Sequence, residues 1–521
     1  MARTPNLGTR PEPDERGPHS SEVSTGFEGL NLVDRRVRET DAEGCAGPVA
    51  AGASLRFRFA FGGGGDCVCG MASSADTIAA LATPVGTSAL ALVRASGPRC
   101  AALVAEIFGG APLPRQAVHG DYRSRSGPVV DDVVFTFFAA PRSYTGEDLL
   151  EISAHGNPFI VQTLLEDLCA RGCRPAEPGE FTKRAFLNGR MDLSQAEAVA
   201  DLIAARSERA LAAANLQLRG ALGRRVQDLT DRLVDLLARV EAFIDFPDED
   251  LPPEDRATLA AGLAGLQADV SRVLATDRYG QVLRAGVKTV ILGEPNAGKS
   301  SLLNRLLGRE RALVSAEPGT TRDYLEEPVA LGPHCIRLID TAGLSTSPTP
   351  LERRGMAQTL ARAAEADLLL LVLDATRPAP PLMPEIAALL TPATALVVVN
   401  KIDLPVSTAG PAPPHGLPVV RMSALTGDGV DELVAAIVRH AESFRREQGE
   451  DLVAINARHA TALRHATEHL RASIEKISGN GAPELLASDL RAVLDAFGEI
   501  AGRIDNERVL DRIFTQFCIG K

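Results

Sequence analysis

The string Gly293-Glu-Pro-Asn-Ala-Gly298-Lys299-Ser300 has the spacing GxxxxGK[ST]. It follows an apolar run, Val290–Leu292, and precedes an apolar helical pattern, Ser301–Leu307. Strand, glycine-rich loop and helix in that order are the context the motif requires. Such a loop turns successive backbone N–H groups toward phosphates at a helix N-terminus, where the dipole favours anions. Asn296, Ala297, Gly298, Lys299, Ser300 and Ser301 are the expected phosphate contacts, with Lys299 on the β- and γ-phosphates and the Ser300 hydroxyl on Mg²⁺. The segment also constrains the fold. From Lys288 onward, KTVILG, CIRLID, DLLLLVLD and ALVVVN alternate with helical patterns, which predicts a parallel sheet with helices on both faces.

The loop alone does not choose between ATP and GTP. Asn400-Lys401-Ile402-Asp403 directly follows the strand 396–399. A carboxylate at Asp403 accepts from guanine N1–H and the 2-amino group, donors that adenine lacks on that edge. Asn400 supports the base or the loop, and the stem of Lys401 covers the base's face. Ser423-Ala424-Leu425, after the next strand, completes a guanine pocket through its backbone. Asp340-Thr341-Ala342-Gly343 follows the strand 335–339: Asp340 is placed to hold Mg²⁺ through water and the Gly343 N–H to sense the γ-phosphate. Between them lies Gly319-Thr320-Thr321-Arg322-Asp323, one of whose threonines is expected to complete the Mg²⁺ shell. Many switch GTPases orient the attacking water with a Gln after DxxG. Leu344 stands there and has no polar group, and the chain offers Glu352 farther along the same segment. These pieces predict a GTP hydrolase.

The 521 residues allow for about three domains. With 45% apolar and 23% charged residues, a buried core is expected. The net charge of −12 argues against a protein that coats nucleic acid nonspecifically. Cys45, Cys67, Cys69, Cys100, Cys169, Cys173, Cys335 and Cys518 are scattered, with no disulfide framework or zinc-ribbon spacing; a reduced, cytoplasmic setting fits. Cys169 and Cys173 read as one helical turn apart. No apolar run approaches the ~20 residues of a membrane span. Residues 1–74 lack periodicity and read as a disordered extension, with Met71 an alternative start. Beyond it, Thr77–Ala82, Ala89–Val93 and 131–138 read as strands. Helices are expected at 157–171, 194–218 and 225–244, the last from Val226, Leu229, Leu233, Leu236, Val240 and Phe243. Leu486, Leu490, Val493, Phe497 and Ile500 form another stripe, and Val509, Ile513, Phe514 and Phe517 a second. The fold class is therefore α/β plus α, with an α/β domain inserted between two helical stretches.

Several blocks have no generic phosphate-binding explanation: SYTGEDLLEISAHGN (143–157), PGEFTKRAFLNGRMDLSQAEAVADLI (178–203), DFPDED (245–250) and the terminal FCIGK (517–521). Together with EPNAGKSSLLN (294–304), PGTTRD (318–323) and DTAGL (340–344) they resemble the MnmE, or TrmE, family of tRNA-modification GTPases, from about Asp76 to Lys521. The resemblance implies a folate-binding and dimerising domain (75–191), a helical domain in two parts (192–284 and 447–521) and an inserted GTPase domain (285–446). It also implies a homodimer that joins a flavoprotein, MnmG or GidA, as a heterotetramer. Their expected product is an aminomethyl-type group on C5 of the wobble uridine of certain tRNAs, the one-carbon unit coming from a tetrahydrofolate derivative. Carried over by position, the folate contacts are Arg94, Glu151, Arg190 and Lys521. A K⁺ ion is implied beside the phosphates, with Asn296 its side-chain ligand and the loop Ser315-Ala316-Glu317-Pro318-Gly319-Thr320 supplying others, mostly carbonyls (Ser315, Glu317 and Thr320). Thr321 matches the Mg²⁺ ligand, Glu352 the catalytic carboxylate and Cys518 the C-terminal cysteine. Two departures stand out: Pro84-Val-Gly86-Thr-Ser88 replaces a double-Pro turn, and Glu317 sits where apolar residues are usual.

A rival expectation is a GTP-switch ribosome-assembly factor. Such a protein shares the P-loop, GTTRD and NKxD strings but lacks the blocks at 143–203 and the FCIGK end.

Overall fold

The structure, a computed structural model, describes residues 76–111, 113–245, 253–309, 326–341, 350–405, 411–414, 416–446, 453–479, 481–502, 510, 513–515 and 517–520. The expected extension, 1–74, lies outside them. The first domain is built on β1 (Thr77–Leu81), β2 (Ser88–Ser96), α1 (Cys100–Phe108), β3 (Ala117–Arg123), β4 (Val129–Phe138), β5 (Leu149–Gly156), α2 (Pro158–Ala170) and β6 (Cys173–Pro175). The strand order is β3-β4-β5-β2-β1-β6, antiparallel except for β6 against β1. Strand side chains alternate between faces. Ala91, Val93 and Ala95 of β2 and Leu150, Ile152 and Ala154 of β5 therefore share one face, packed into a core with α1 and α2. Arg94 and Glu151, which are register partners, fall on the other face. There α3 (Glu180–Leu187) brings Phe181 over Ile78 and Ala80 of β1.

Two sequence expectations are corrected here. Helix α2 ends at Ala170, and Gly172 turns the chain at φ +92°, so Cys173 lies on β6 and not one helical turn from Cys169. The stretch 194–218 is two helices, α4 (Leu193–Ala204) and α5 (Glu208–Leu218). Ala205 is extended and the Ser207 side chain accepts from the Ala210 N–H, so an N-cap interrupts an otherwise continuous alanine-rich pattern. Strands β3 and β5 were not read from the sequence.

Four long helices form the bundle: α6 (Ala221–Asp245), α7 (Pro253–Ala275), α13 (Ala457–Ser478) and α14 (Pro483–Ala501). Leu229 and Leu233, Leu263 and Leu266, Leu463 and Leu470, Leu490 and Val493 all bury in one core, at the three- and four-residue steps that put them on one helix face. The two halves of this core are separated in sequence by the whole nucleotide domain. The short helix α8 (Asp277–Ala285) leads into it.

That domain runs β7 (Val287–Gly293), α9 (Lys299–Arg309), β8 (Glu326–Leu331), β9 (His334–Asp340), α10 (Pro350–Ala364), β10 (Leu368–Asp374), α11 (Pro384–Leu389), β11 (Ala395–Asn400), β12 (Val419–Arg421) and α12 (Val430–Arg446). The sheet order is β12-β11-β10-β7-β9-β8, parallel except for the edge strand β8. Strands β10 and β11 are covered on both faces, which explains their unbroken apolar runs. The winding reverses beside β7, and in open α/β sheets ligands bind at such a switch point, outside the carboxyl ends of the strands. Among the described residues no helix is long and apolar enough to cross a membrane.

Candidate functional site

Gly293 ends β7 and Lys299 begins α9, so the intervening loop must reverse within five residues. Asn296 and Gly298 take positive φ, +67° and +98°. A Cβ on Gly298 would lie 2.2 Å from the Asn400 amide nitrogen, so only glycine allows the loop and the base motif to approach this closely. Lys299 is buried, and its ammonium donates to the Gly293 and Glu294 carbonyls at 3.1 and 2.9 Å. Burial draws its pKa below the ordinary lysine value, against the pull of Asp340 and Glu294.

Ser300 Oγ donates to Asp340 Oδ2 at 2.9 Å, joining the start of α9 to the end of β9. Asp340 Oδ1 is buried and accepts no hydrogen bond. A buried oxygen without a partner is costly unless an ion or ordered water satisfies it. A hydroxyl and a partly satisfied carboxylate are hard oxygen donors of the kind Mg²⁺ takes, so this pair fits that ion. Thr341 Oγ1 donates to the Ile291 carbonyl at 2.6 Å and holds the end of β9 against β7.

The base motif ends β11. Asn400 is buried; its amide donates to the Ala297 carbonyl at 2.9 Å and its Oδ1 accepts from the Ala424 N–H at 2.9 Å. One side chain thus fixes the phosphate loop and the Ser423–Leu425 loop together. Lys401 takes φ +66° and donates both to the Asn296 carbonyl and to Asp374 Oδ2, each at 2.7 Å. Ser423 is buried and its Oγ accepts from the Thr426 N–H at 3.1 Å, closing a tight turn. Ile402 packs into the core, whereas Asp403 and Leu425 are exposed at the mouth of the site.

Asp374 was missed by the sequence reading. Burial raises its pKa, but hydrogen bonds from Lys401 and Thr376 outweigh this and hold the carboxyl below its usual range. A signal existed: Asp374 ends the run LLLLVLD as Asp340 ends CIRLID and Asn400 ends ALVVVN.

In the first domain, Arg94 donates through Nε and Nη2 to Glu151 Oε1 at 3.0 and 2.6 Å. Its guanidinium lies 5.5 and 5.8 Å from the ring centres of Tyr144 and Phe181, within cation–π range. Its Nη1 donates to the Gly520 carbonyl at 3.4 Å, which brings the chain's end to β2. The Gly179 N–H donates to the Cys518 carbonyl at 3.3 Å, and Phe514 and Phe517 bury against α4; the Cys518 side chain is exposed. Arg190 is exposed and lays its stem beside Gly146, two residues from Tyr144. Arg94, Glu151 and Arg190 therefore gather around the 144–146 loop. The aromatic partners Tyr144 and Phe181 were not singled out from the sequence.

Lys521, the loop Ser315–Thr321, Ala342, Gly343 and Leu344 lie outside the described residues. Glu352 falls on α10, and nothing is described of its side chain.

The first domain matches the family model "GTP-binding protein TrmE N-terminus" over residues 77–190, and the model "MnmE helical domain" matches 193–518. The tRNA modification GTPase MnmE of Opitutus terrae is 59% identical over 450 residues, 86% of this chain and 99% of that protein. Proteins of the same name from Akkermansia muciniphila and Halorhodospira halophila are 46% and 43% identical, over 85% and 86% of this chain and 99% and 96% of their own.

Proposed function

This chain belongs to the MnmE family of tRNA modification GTPases and is a GTP hydrolase; we propose that, in the cytoplasm, it modifies C5 of the wobble uridine of certain tRNAs. The product is an aminomethyl or carboxymethylaminomethyl group, made as a homodimer joined to a flavoprotein of the MnmG (GidA) kind in a heterotetramer. The observation that carries the modification reading is the match over 77–190 to the TrmE N-terminal model; its nucleotide half is supported by the junction at Asn400, which ties the phosphate loop to the base loop through two 2.9 Å hydrogen bonds.

The residues divide the work. The backbone from Asn296 to Ser301 and the Lys299 ammonium bind the phosphates, and Asp403 reads the guanine edge. Ser300, Asp340 and Thr321 would hold Mg²⁺, which when bound neutralises charge on the β- and γ-oxygens. Asn296, with Ser315, Glu317 and Thr320, would hold K⁺, a positive charge beside the phosphates. Glu352 orients the attacking water in the place of the missing Gln. Arg94, Glu151, Arg190 and Lys521 would hold the tetrahydrofolate derivative that supplies the one-carbon unit: a pterin wants a carboxylate partner and a glutamate tail wants cations. The match over 77–190 lies wholly outside the nucleotide motifs and favours this reading over a ribosome-assembly switch. The test is mass analysis of wobble nucleosides in tRNA from a strain lacking the chain. Loss of the C5 substituent is expected; unchanged nucleosides would remove the reading.

A further inference from the structure

Asn400 holds the base loop through the Ala424 N–H. A second hold comes from Arg305, on α9 and outside every nucleotide motif. Its Nε donates to the Ala424 carbonyl at 2.9 Å, and its Nη2 donates to the Leu425 carbonyl. The same guanidinium passes under Gly427, where a Cβ would sit 3.7 Å from Nη1. With Ala424, Thr426 and Gly427 it lines a wide groove of about 760 Å³ between α9 and the loop. One side chain therefore fixes two consecutive carbonyls of a three-residue loop, with the fork geometry that only arginine offers.

The consequence follows from peptide geometry. In a trans peptide the C=O and N–H point to opposite sides. Anchoring the Ala424 carbonyl on α9 therefore turns the Leu425 N–H away from α9. That N–H has no hydrogen-bond partner among the described residues, whereas the Ala424 N–H is already committed to Asn400. A backbone donor held in fixed orientation beside the base motif suits an acceptor on the purine's 6,7-edge, and of the two there, N7 and the 6-oxo group, only the 6-oxo group distinguishes guanine from adenine. Asp403, an acceptor, cannot read that group.

We propose that Arg305 is a positioning residue for guanine recognition: it locks the Ala424–Leu425 peptide so that a backbone donor faces the 6-oxo group. The inference rests on the reading of Ser423–Leu425 as part of the guanine pocket. It divides base recognition into two parts, the 1,2-edge read by Asp403 and the 6-position read through a loop that Arg305 holds.

The experiment compares three diphosphates, measured by calorimetry with Mg²⁺ on the full chain and on Arg305→Ala and Arg305→Lys. GDP and IDP carry the 6-oxo group; 2-aminopurine riboside diphosphate keeps the 2-amino group but lacks both the 6-oxo group and the N1–H, so each variant is compared with the unaltered chain on the same nucleotide. Arg305→Ala is expected to weaken GDP and IDP about tenfold, the factor for losing roughly one net charge-assisted hydrogen bond. The 2-aminopurine nucleotide should change by less than about twofold. Arg305→Lys, with a single point donor, should fall between. In hydrolysis the loss should appear in KM for GTP and not in kcat. Equal weakening of all three nucleotides would reduce Arg305 to general support of the fold and overturn the proposal, as would unchanged GDP affinity. Failure of the unaltered chain to bind GDP at all would instead strike the guanine-site reading.

Discussion

In the proposed reading, Asp403 carries the choice of base. An Asn there keeps an acceptor but adds an amide donor, which opposes the guanine 2-amino group and suits the 2-oxo group of xanthine. Asp403→Asn is therefore expected to raise KM for GTP about 100-fold, the size of two lost hydrogen bonds to a charged group, and to make xanthosine triphosphate the better substrate. Competition kinetics check this, and an unchanged preference for GTP would place base reading elsewhere. Glu352 makes the opposite kind of prediction. If it positions the attacking water, Glu352→Gln lowers single-turnover hydrolysis by ~10²–10⁴ while GTP affinity stays near that of the unaltered chain. Near-normal hydrolysis would assign the water to another group. The two variants separate binding from chemistry, since the proposal assigns Asp403 to the base and Glu352 to the attacking water.

Between elements, a buried polar cluster joins α4 to the second half of the bundle. Glu197 of α4 receives Arg458 Nε and Nη2 at 2.8 and 2.9 Å, and His459 Nε2 at 2.9 Å. His459 is fully buried, and its Nδ1 accepts the Asn456 N–H at the cap of α13. Nε2 faces both the Glu197 carboxylate and Arg458 Nη2, the latter at 2.8 Å. Burial lowers the His459 pKa, against the pull of Glu197. Burial raises that of Glu197, but hydrogen bonds from Arg458 and His459 outweigh it and hold the carboxyl below its ordinary value. Both folded-state pKa values lie below the unfolded ones, so both contributions are present at neutral pH and are lost on acidification. Stability should begin to fall as pH drops below about 6.5, where unfolded His459 gains a proton, and fall further below about 4.5, where unfolded Glu197 does. Glu197→Ala leaves the Arg458 guanidinium without its anion and His459 Nε2 without its carboxylate partner, and is expected to cost about 3–5 kcal/mol near pH 7.5. Denaturant melts across pH check both; equal losses for the variant at pH 7.5 and 5 would show that the cluster does not carry the acid sensitivity.

For the whole molecule, the proposed K⁺ dependence of hydrolysis is open to a direct check. Leu344 in the Gln position and Asn296 at φ +67° in the phosphate loop motivate a monovalent cation as the missing positive charge. Exchanging K⁺ for Na⁺ at constant ionic strength should lower kcat severalfold or more and leave GTP binding intact. Equal rates in the two salts would remove the ion from the account.

The nucleotide site was largely legible in advance because its parts are local. A phosphate loop, a carboxylate closing a strand and an NKxD string each need a fixed spacing of a few residues, and the unbroken runs of β10 and β11 announce burial on both faces. Asp374 obeyed the same strand-end rule and was overlooked. Cys173 and the break at Ala205–Ser207 were misread because turn and cap chemistry overrode a continuous periodicity. Long-range pairings were beyond periodicity and spacing, and only the family resemblance implied that the two helical stretches form one domain and that the chain's end meets Arg94. The stripe on α14 shows that one face is buried, but apolar burial has no direction, so it does not say that the partners are α6 and α13 across an inserted domain. Likewise nothing in the spacing of Arg94 or Gly520 announces that they meet. The amino-acid order determined the nucleotide chemistry, which is written in short-range geometry; only the tertiary fold decided which distant polar groups satisfy one another, because that choice depends on where closure of the cores leaves them.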